Sequence, residues 1–208
     1  MSVVRILLLV TALISLSFLS ACSSRQSDYY MLESTAPAVS ADHMPRTTLV
    51  VEEIAMPGYL DRNNVVVRDA KGTHLAVANF NIWAEPLQQG IQRVLAHKLT
   101  GPLLNAGITV MPYQSSVVAP MYAAYIEVVR MDADRSGHVT LESRWTLIDV
   151  RNNQVLDRGS FAAQETVDMP SFGSQEMFRT VVEAQSRLVE HFGDKLAVLL
   201  QNALAGVK

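Results

Sequence analysis

Hydrophobic positions recur along this chain in two rhythms. One has a period of two. From Val139 to Val150, Val139, Leu141, Trp145 and Leu147 share one face, while Thr140, Glu142, Arg144 and Thr146 share the other. That alternation predicts an antiparallel strand with one buried and one wet face, and Tyr122 to Met131 supplies the other arm of a hairpin. Arg151-Asn152-Asn153-Gln154 then turns the chain into a further strand from Val155 to Ala163. Upstream, Thr47 to Ile54 is β-rich, Val65–Arg68 and His74–Val77 flank a turn at Asp69-Ala70-Lys71-Gly72, and Gly107–Met111 forms a short strand. The second rhythm is helical. Leu87, Ile91, Val94, Leu95 and Leu99 form a stripe that starts near Ala84-Glu85-Pro86 and stops at Gly101-Pro102. Met177, Val181, Ala184, Leu188, Phe192, Leu196 and Leu199 form another, on a helix from about Ser174 to Ala203. Strands, helix, strands, helix predicts an α+β fold: a single mainly antiparallel β-sheet with two long helices packed on it.

The N-terminal end follows neither rhythm. Arg5 precedes an uncharged run of 14 residues, Ile6 to Leu19. As a helix it would cover roughly 21 Å, short of the roughly 30 Å hydrocarbon core, so an uncleaved anchor fits less well than an export signal over 1–21. Leu19-Ser20-Ala21-Cys22 matches the bacterial lipobox at all four positions. The chemistry requires a cysteine there because its thiol takes diacylglycerol before cleavage. The bland alternative is an ordinary buried cysteine, yet Cys22 is the only Cys in 208 residues. Two or three acyl chains anchor far more firmly than one. Ser23 stands where inner-membrane retention uses Asp, which points to the outer membrane, periplasmic face. Residues 22–46 are small and polar and predict a flexible tether. Asp28-Tyr29-Tyr30-Met31-Leu32 interrupts it, either as a docked edge strand or as a partner contact. The domain proper is expected over 47–208.

Removing 21 residues leaves 187, enough for one domain with a sizeable core. The mature balance of 16 basic and 20 acidic residues gives no footprint for nucleic acid. With Cys22 acylated, neither a disulfide nor thiolate chemistry remains. No zincin, nucleophile-elbow, phosphate-loop or dinucleotide motif occurs. The five histidines (43, 74, 97, 138 and 191) are never three or four apart, so no catalytic, metal or cofactor site is expected. Asp132-Ala133-Asp134-Arg135-Ser136-Gly137 imitates half of a calcium loop, but Ser143 stands where the bidentate Glu belongs. A hairpin turn with two solvated aspartates is the better reading. Asp61-Arg62 reads as an ion pair or turn.

Two clusters remain, Met56-Pro57-Gly58-Tyr59-Leu60-Asp61-Arg62 and Trp83-Ala84-Glu85-Pro86-Leu87. Together with Tyr29-Tyr30-Met31-Leu32 behind a lipobox and the strand bearing Trp145, they make the chain resemble the PqiC/YmbA family over nearly all its mature length. Asn63 departs from the family's usual proline at a turn. The resemblance implies an outer-membrane lipoprotein of an MCE/ABC-type intermembrane lipid transport system, without enzymatic activity. It would self-associate, dock a periplasm-spanning MCE-type protein, and touch the membrane lipid through acylated Cys22. Tyr59, Leu60, Asp61, Arg62 and Trp83 are the candidate interface, with core packing the plainer role for Trp83 and Trp145. The alternatives are a structural lipoprotein of another envelope assembly, such as a secretion pilot or assembly factor, and a lipid-anchored periplasmic hydrolase.

Overall fold

The computed structural model describes residues 26–36, 38–68, 74–111 and 119–206. The export signal, Leu19 to Ser23 and the turn at Asp69–Gly72 therefore lie outside the described residues. The elements run β1 (Asp28–Tyr30), β2 (Thr47–Val51), β3 (Asn64–Arg68), β4 (Leu75–Trp83), α1 (Leu87–Asn105), β5 (Ile108–Met111), β6 (Tyr122–Asp134), β7 (His138–Asp149), β8 (Gln154–Thr166) and α2 (Gln175–Ala205).

All eight strands join one mixed sheet with the two helices against it, an α+β fold. Its spine is the antiparallel meander β6–β7–β8, in which Ile126 faces Trp145 and Trp145 faces Gly159. The other edge of β6 is shared. β2 pairs with its first residues and β3 with its last, both in parallel, and an isolated bridge from Ala55 to Glu127 lies between them. Two consecutive short strands thus line up along one long one, and the loop carrying Tyr59 to Arg62 leaves between them. Antiparallel pairing of β3 with β4 and parallel pairing of β1 with β4 and of β2 with β5 complete the sheet.

The inward faces are those the alternation marks: Val139, Leu141, Trp145 and Leu147 are all buried. In α2 the stripe is buried from Met177 to Leu196, but Leu199 is exposed and Leu200 and Leu204 take its place. The last turns of α2 lean on α1, where Gln201 Nε2 donates to Pro102 O at 2.7 Å, so the buried face rotates around the helix. α1 does not stop at Gly101-Pro102. It continues through Pro102 to Asn105: the lost N–H bond and the crowding of the ring against the preceding turn are offset by packing of this last turn, where Leu103 is completely buried. The helices approach closely at Gly193, where an added Cβ would come within 2.8 Å of Lys98 Cβ.

Within the stretch expected as a tether over 22–46, residues 28–35 are docked on the domain, beginning with the edge strand β1. Leu32 is buried in the core. Arg93 Nη2 on α1 donates to Leu32 O at 2.8 Å, and Ser34 Oγ and His97 Nδ1 share a hydrogen bond at 3.1 Å. From α2, Ser186 Oγ accepts from Glu33 N, and the Glu190 carboxylate accepts from both the backbone and the hydroxyl of Thr35. Polar groups of this segment thus tie it to both helices by hydrogen bonds, although Glu33 and Thr35 stay exposed.

Candidate functional site

The two motif clusters and the N-terminal strand meet in space. Trp83 N donates to Asn63 O at 2.6 Å, at the end of the Tyr59–Arg62 loop, and Ala84 N donates to Tyr30 O at 2.7 Å. Glu85 closes the assembly by pairing with Arg93 at 2.6 Å, the same arginine that holds Leu32 O. Pro86 caps α1 through its carbonyl, which accepts from Gln89 N and Gly90 N. Met56–Arg62, Trp83–Leu87 and Tyr29–Leu32 therefore form one structural knot, though 53 residues separate Tyr30 from Trp83 in sequence.

Within it the candidate interface residues divide. Leu60 and Trp83 are buried in the core, and Tyr59 is partly buried and packed against it. Asp61 and Arg62 are exposed in the turn, where Arg62 N donates to Leu60 O at 2.8 Å. Leu60 and Trp83 are thus removed from the candidate contact surface, because a side chain committed to the core has nothing left to present.

Tyr59 points instead at a polar centre that the sequence does not reveal. Its hydroxyl donates to Asp132 Oδ2 at 3.0 Å. The same oxygen accepts from Arg68 Nε at 3.1 Å and Nη2 at 2.6 Å, while Oδ1 accepts from Arg130 Nε at 3.0 Å. The Arg68 guanidinium also lies over the Tyr59 ring, 5.4 Å from its centre. Asp132 has no solvent exposure. Burial pushes its carboxyl up, but the hydrogen bonds and charges of Arg68 and Arg130 outweigh this and hold it below the usual carboxylate range. Burial and the facing Asp132 charge push the Tyr59 phenol up. The pattern of two solvated aspartates at this turn is therefore corrected: Asp132 is a buried, fully bonded carboxylate. Asp134 is the turn residue, and its Oδ1 accepts from Ser136 N and His138 N. Gly137 follows at φ +86°, where any Cβ would strike Val167 O.

Both Asp132 oxygens are committed to cations and a phenol, so the centre braces the Tyr59 loop, β3 and β6. It offers no free base or nucleophile. Among the described residues no group of three or more His, Cys, Asp or Glu could hold a metal. Arg130 and Asp132 were findable as an i, i+2 pair on one strand face. Tyr59 and Arg68, 73 and 64 residues from Asp132, carry no local signal.

Comparison with known proteins agrees with this architecture. The family described as "ABC-type transport auxiliary lipoprotein component" matches residues 30–197. Intermembrane transport lipoprotein PqiC of Escherichia coli (strain K12) is 26% identical over 133 residues, spanning 62% of this chain and 68% of that protein. PqiC of Shigella flexneri gives the same figures. A solved structure from Xanthomonas campestris superposes with a TM-score of 0.65 at 16% identity, covering 88% of this chain and 100% of that one. A second, of an uncharacterized protein, reaches 0.66 at 20% identity over 85% of this chain and 99% of that one. At these identities the two structures speak for the fold alone.

Proposed function

Because this chain belongs to the ABC-type transport auxiliary lipoprotein family, we propose that it is the outer-membrane lipoprotein of an intermembrane lipid transport system, docking a periplasm-spanning MCE-type partner. The observation that carries the reading is the family match over residues 30–197, with a relative whose name is intermembrane transport lipoprotein. The lipobox Leu19 to Cys22 supports it independently, since it supplies an anchor to a chain whose described helices are none of them long and apolar enough to cross a membrane. Acylated Cys22 holds the protein on the periplasmic face, and Ser23 directs it outward. The role in this reading is structural: the Asp132 centre, with both carboxylate oxygens bonded, acts as a brace. Of the candidate interface, Asp61, Arg62 and the outer part of Tyr59 form the partner contact. The domain also associates with copies of itself.

Two measurements test this. Cys22→Ala should abolish labelling by a clickable palmitate and release the chain from sedimenting envelopes, and Ser23→Asp should move it toward inner-membrane density. Crosslinking in whole envelopes should recover an MCE-type protein with the native chain and lose it with Asp61→Arg/Arg62→Glu. Unchanged labelling and sedimentation in Cys22→Ala overturns the anchor; recovery of no such partner from the native chain overturns the docking role.

A further inference from the structure

The N-terminal strand fixes where the anchored chain leaves the domain. β1 is held to β4 by the register Asp28↔Asn81, Tyr29↔Ile82 and Tyr30↔Trp83, and Gln175 Nε2, on the first residue of α2, donates to Asp28 Oδ2 at 2.6 Å. Six residues lead from Cys22 to Asp28, which reach at most about 20 Å when fully extended. The 31 residues of α2 carry the chain about 45 Å from Gln175 to the opposite end of the domain. A lipid group on Cys22 therefore keeps the Gln175 end within about 20 Å of the bilayer, while the far end of α2 is free to stand well away from it.

That end carries an unusual surface. Among the described residues four aromatic side chains are exposed, and three of them, Tyr29, Phe80 and Phe172, lie here; Tyr125 is the fourth. Phe80 and Phe172 line one shallow concavity together with Val77, and Tyr29 adjoins Asp28, the partner of Asn81. The backbone is shaped to present Phe80: β3 advances from Asn64 to Val66 while β4 runs from Ile82 to Val77, so residues 78–81 bulge out. Asn64 Nδ2 fixes the bulge by donating to Ala78 O at 2.7 Å. The Arg135 guanidinium stacks 4.0 Å from the centre of the Phe172 ring. Aromatic rings with an arginine beside them suit the headgroup layer of a bilayer, where rings enter the apolar boundary and the cation meets phosphate.

We propose that this end of the domain, formed by Tyr29, Val77, Phe80, Phe172 and Arg135, rests on the lipid surface that holds Cys22. The proposal depends on the lipid anchor proposed above. The membrane is then a second binding surface, and it sets the domain's orientation: α2 points away from the bilayer, and its C-terminal half faces the periplasm.

The test uses the mature acylated chain on vesicles of phosphatidylethanolamine and phosphatidylglycerol. Acylation consumes the one native thiol, so an introduced cysteine is the only one available to react. Phe80→Cys and Phe172→Cys report the membrane end, while Val150→Cys and Leu199→Cys report positions away from it. Modification by a water-soluble maleimide should slow several-fold on vesicles relative to detergent at Phe80 and Phe172, and stay unchanged at Val150 and Leu199. Equal rates at all four sites overturn the orientation while leaving the anchor standing. Protection that disappears on lowering the protein-to-lipid ratio also overturns it, and assigns the patch to a second copy. A chain that fails to co-float with vesicles overturns the anchor, and the orientation with it.

Discussion

Arg68 Nη2 lies 2.6 Å from Asp132 Oδ2, and this contact fastens β3 to β6 where their parallel pairing is only two residues long. A ladder that short is weak by itself, and the ion pair with the Tyr59 hydroxyl completes the junction. Removing one member of a buried, hydrogen-bonded pair leaves the other charges uncompensated. Asp132→Ala is expected to cost about 3 kcal/mol, and Tyr59→Phe, which removes one hydrogen bond, about 1 kcal/mol. Denaturant midpoints of the two variants check the order. Equal losses would show that the phenol, not the arginines, holds the carboxylate.

Acid should act through the same carboxylate. The folded-state pKa of Asp132 is depressed, so its stabilising contribution is fully present above the ordinary carboxylate value of about 4 and is lost as pH falls through the lower folded value. Asp149, held below its usual range by Arg151, acts with the same sign. Stability of the native chain should therefore decline below about pH 4, and Asp132→Asn should be less stable at neutral pH but decline less steeply. Denaturation curves between neutral pH and about pH 3 measure this, and parallel declines would remove Asp132 from the acid response.

The β6–β7 hairpin and the α2 stripe were legible because one face of each is wet, which imprints a period of two or of 3.6 on the sequence. Parallel placement of β2 and β3 along one edge of β6 was not, since pairing partners far apart leave no local mark. Composition misled at Ser34 and Thr35, whose polar groups bond to His97 and Glu190 and do not signal a free linker. The bulky run Tyr29-Tyr30-Met31-Leu32 was the clue to docking there, and its first residues form the edge strand β1. The motif residues of the candidate site, far apart in sequence, meet in the structure. Burial then separated Leu60 and Trp83 from Asp61 and Arg62, and Asp132 was hidden because its partners are remote.

The helix crossing supplies a test of packing. At Gly193 a Cβ would overlap the Lys98 stem, which is itself held by Nζ against Asp194 at 2.8 Å. Gly193→Val is expected to push α1 and α2 apart and cost about 2 kcal/mol, within the usual range for overpacking. Gly58, with open space around it, should accept Ala with little loss. Thermal denaturation of both variants compares the two, and an unaffected Gly193→Val would show that the helices can separate freely.

The docked N-terminal segment makes the strongest demand on the structure. If residues 28–35 were only a linker, no substitution there would touch the domain's stability. Leu32 instead is 1% exposed, inserts beside Gly90 of α1 and is fixed through its carbonyl by Arg93. Truncating a leucine buried that fully removes its transfer energy and leaves a cavity, so Leu32→Ala should lower stability by about 2–4 kcal/mol. For a domain of this size that is a fall in Tm of roughly 5–15 °C. Leu32→Ala should also loosen β1, because Tyr30 and Leu32 are the two inward anchors of the segment. Amide exchange at Ala84, whose N–H donates to Tyr30 O, should then speed up before exchange in β7 does. Exposed Met31, one residue away, provides the control, and Met31→Ala should leave both measurements unchanged. Equal, negligible effects of the two substitutions would return the segment to the status of a tether and lengthen the reach from Cys22, weakening the argument that the Gln175 end faces the membrane.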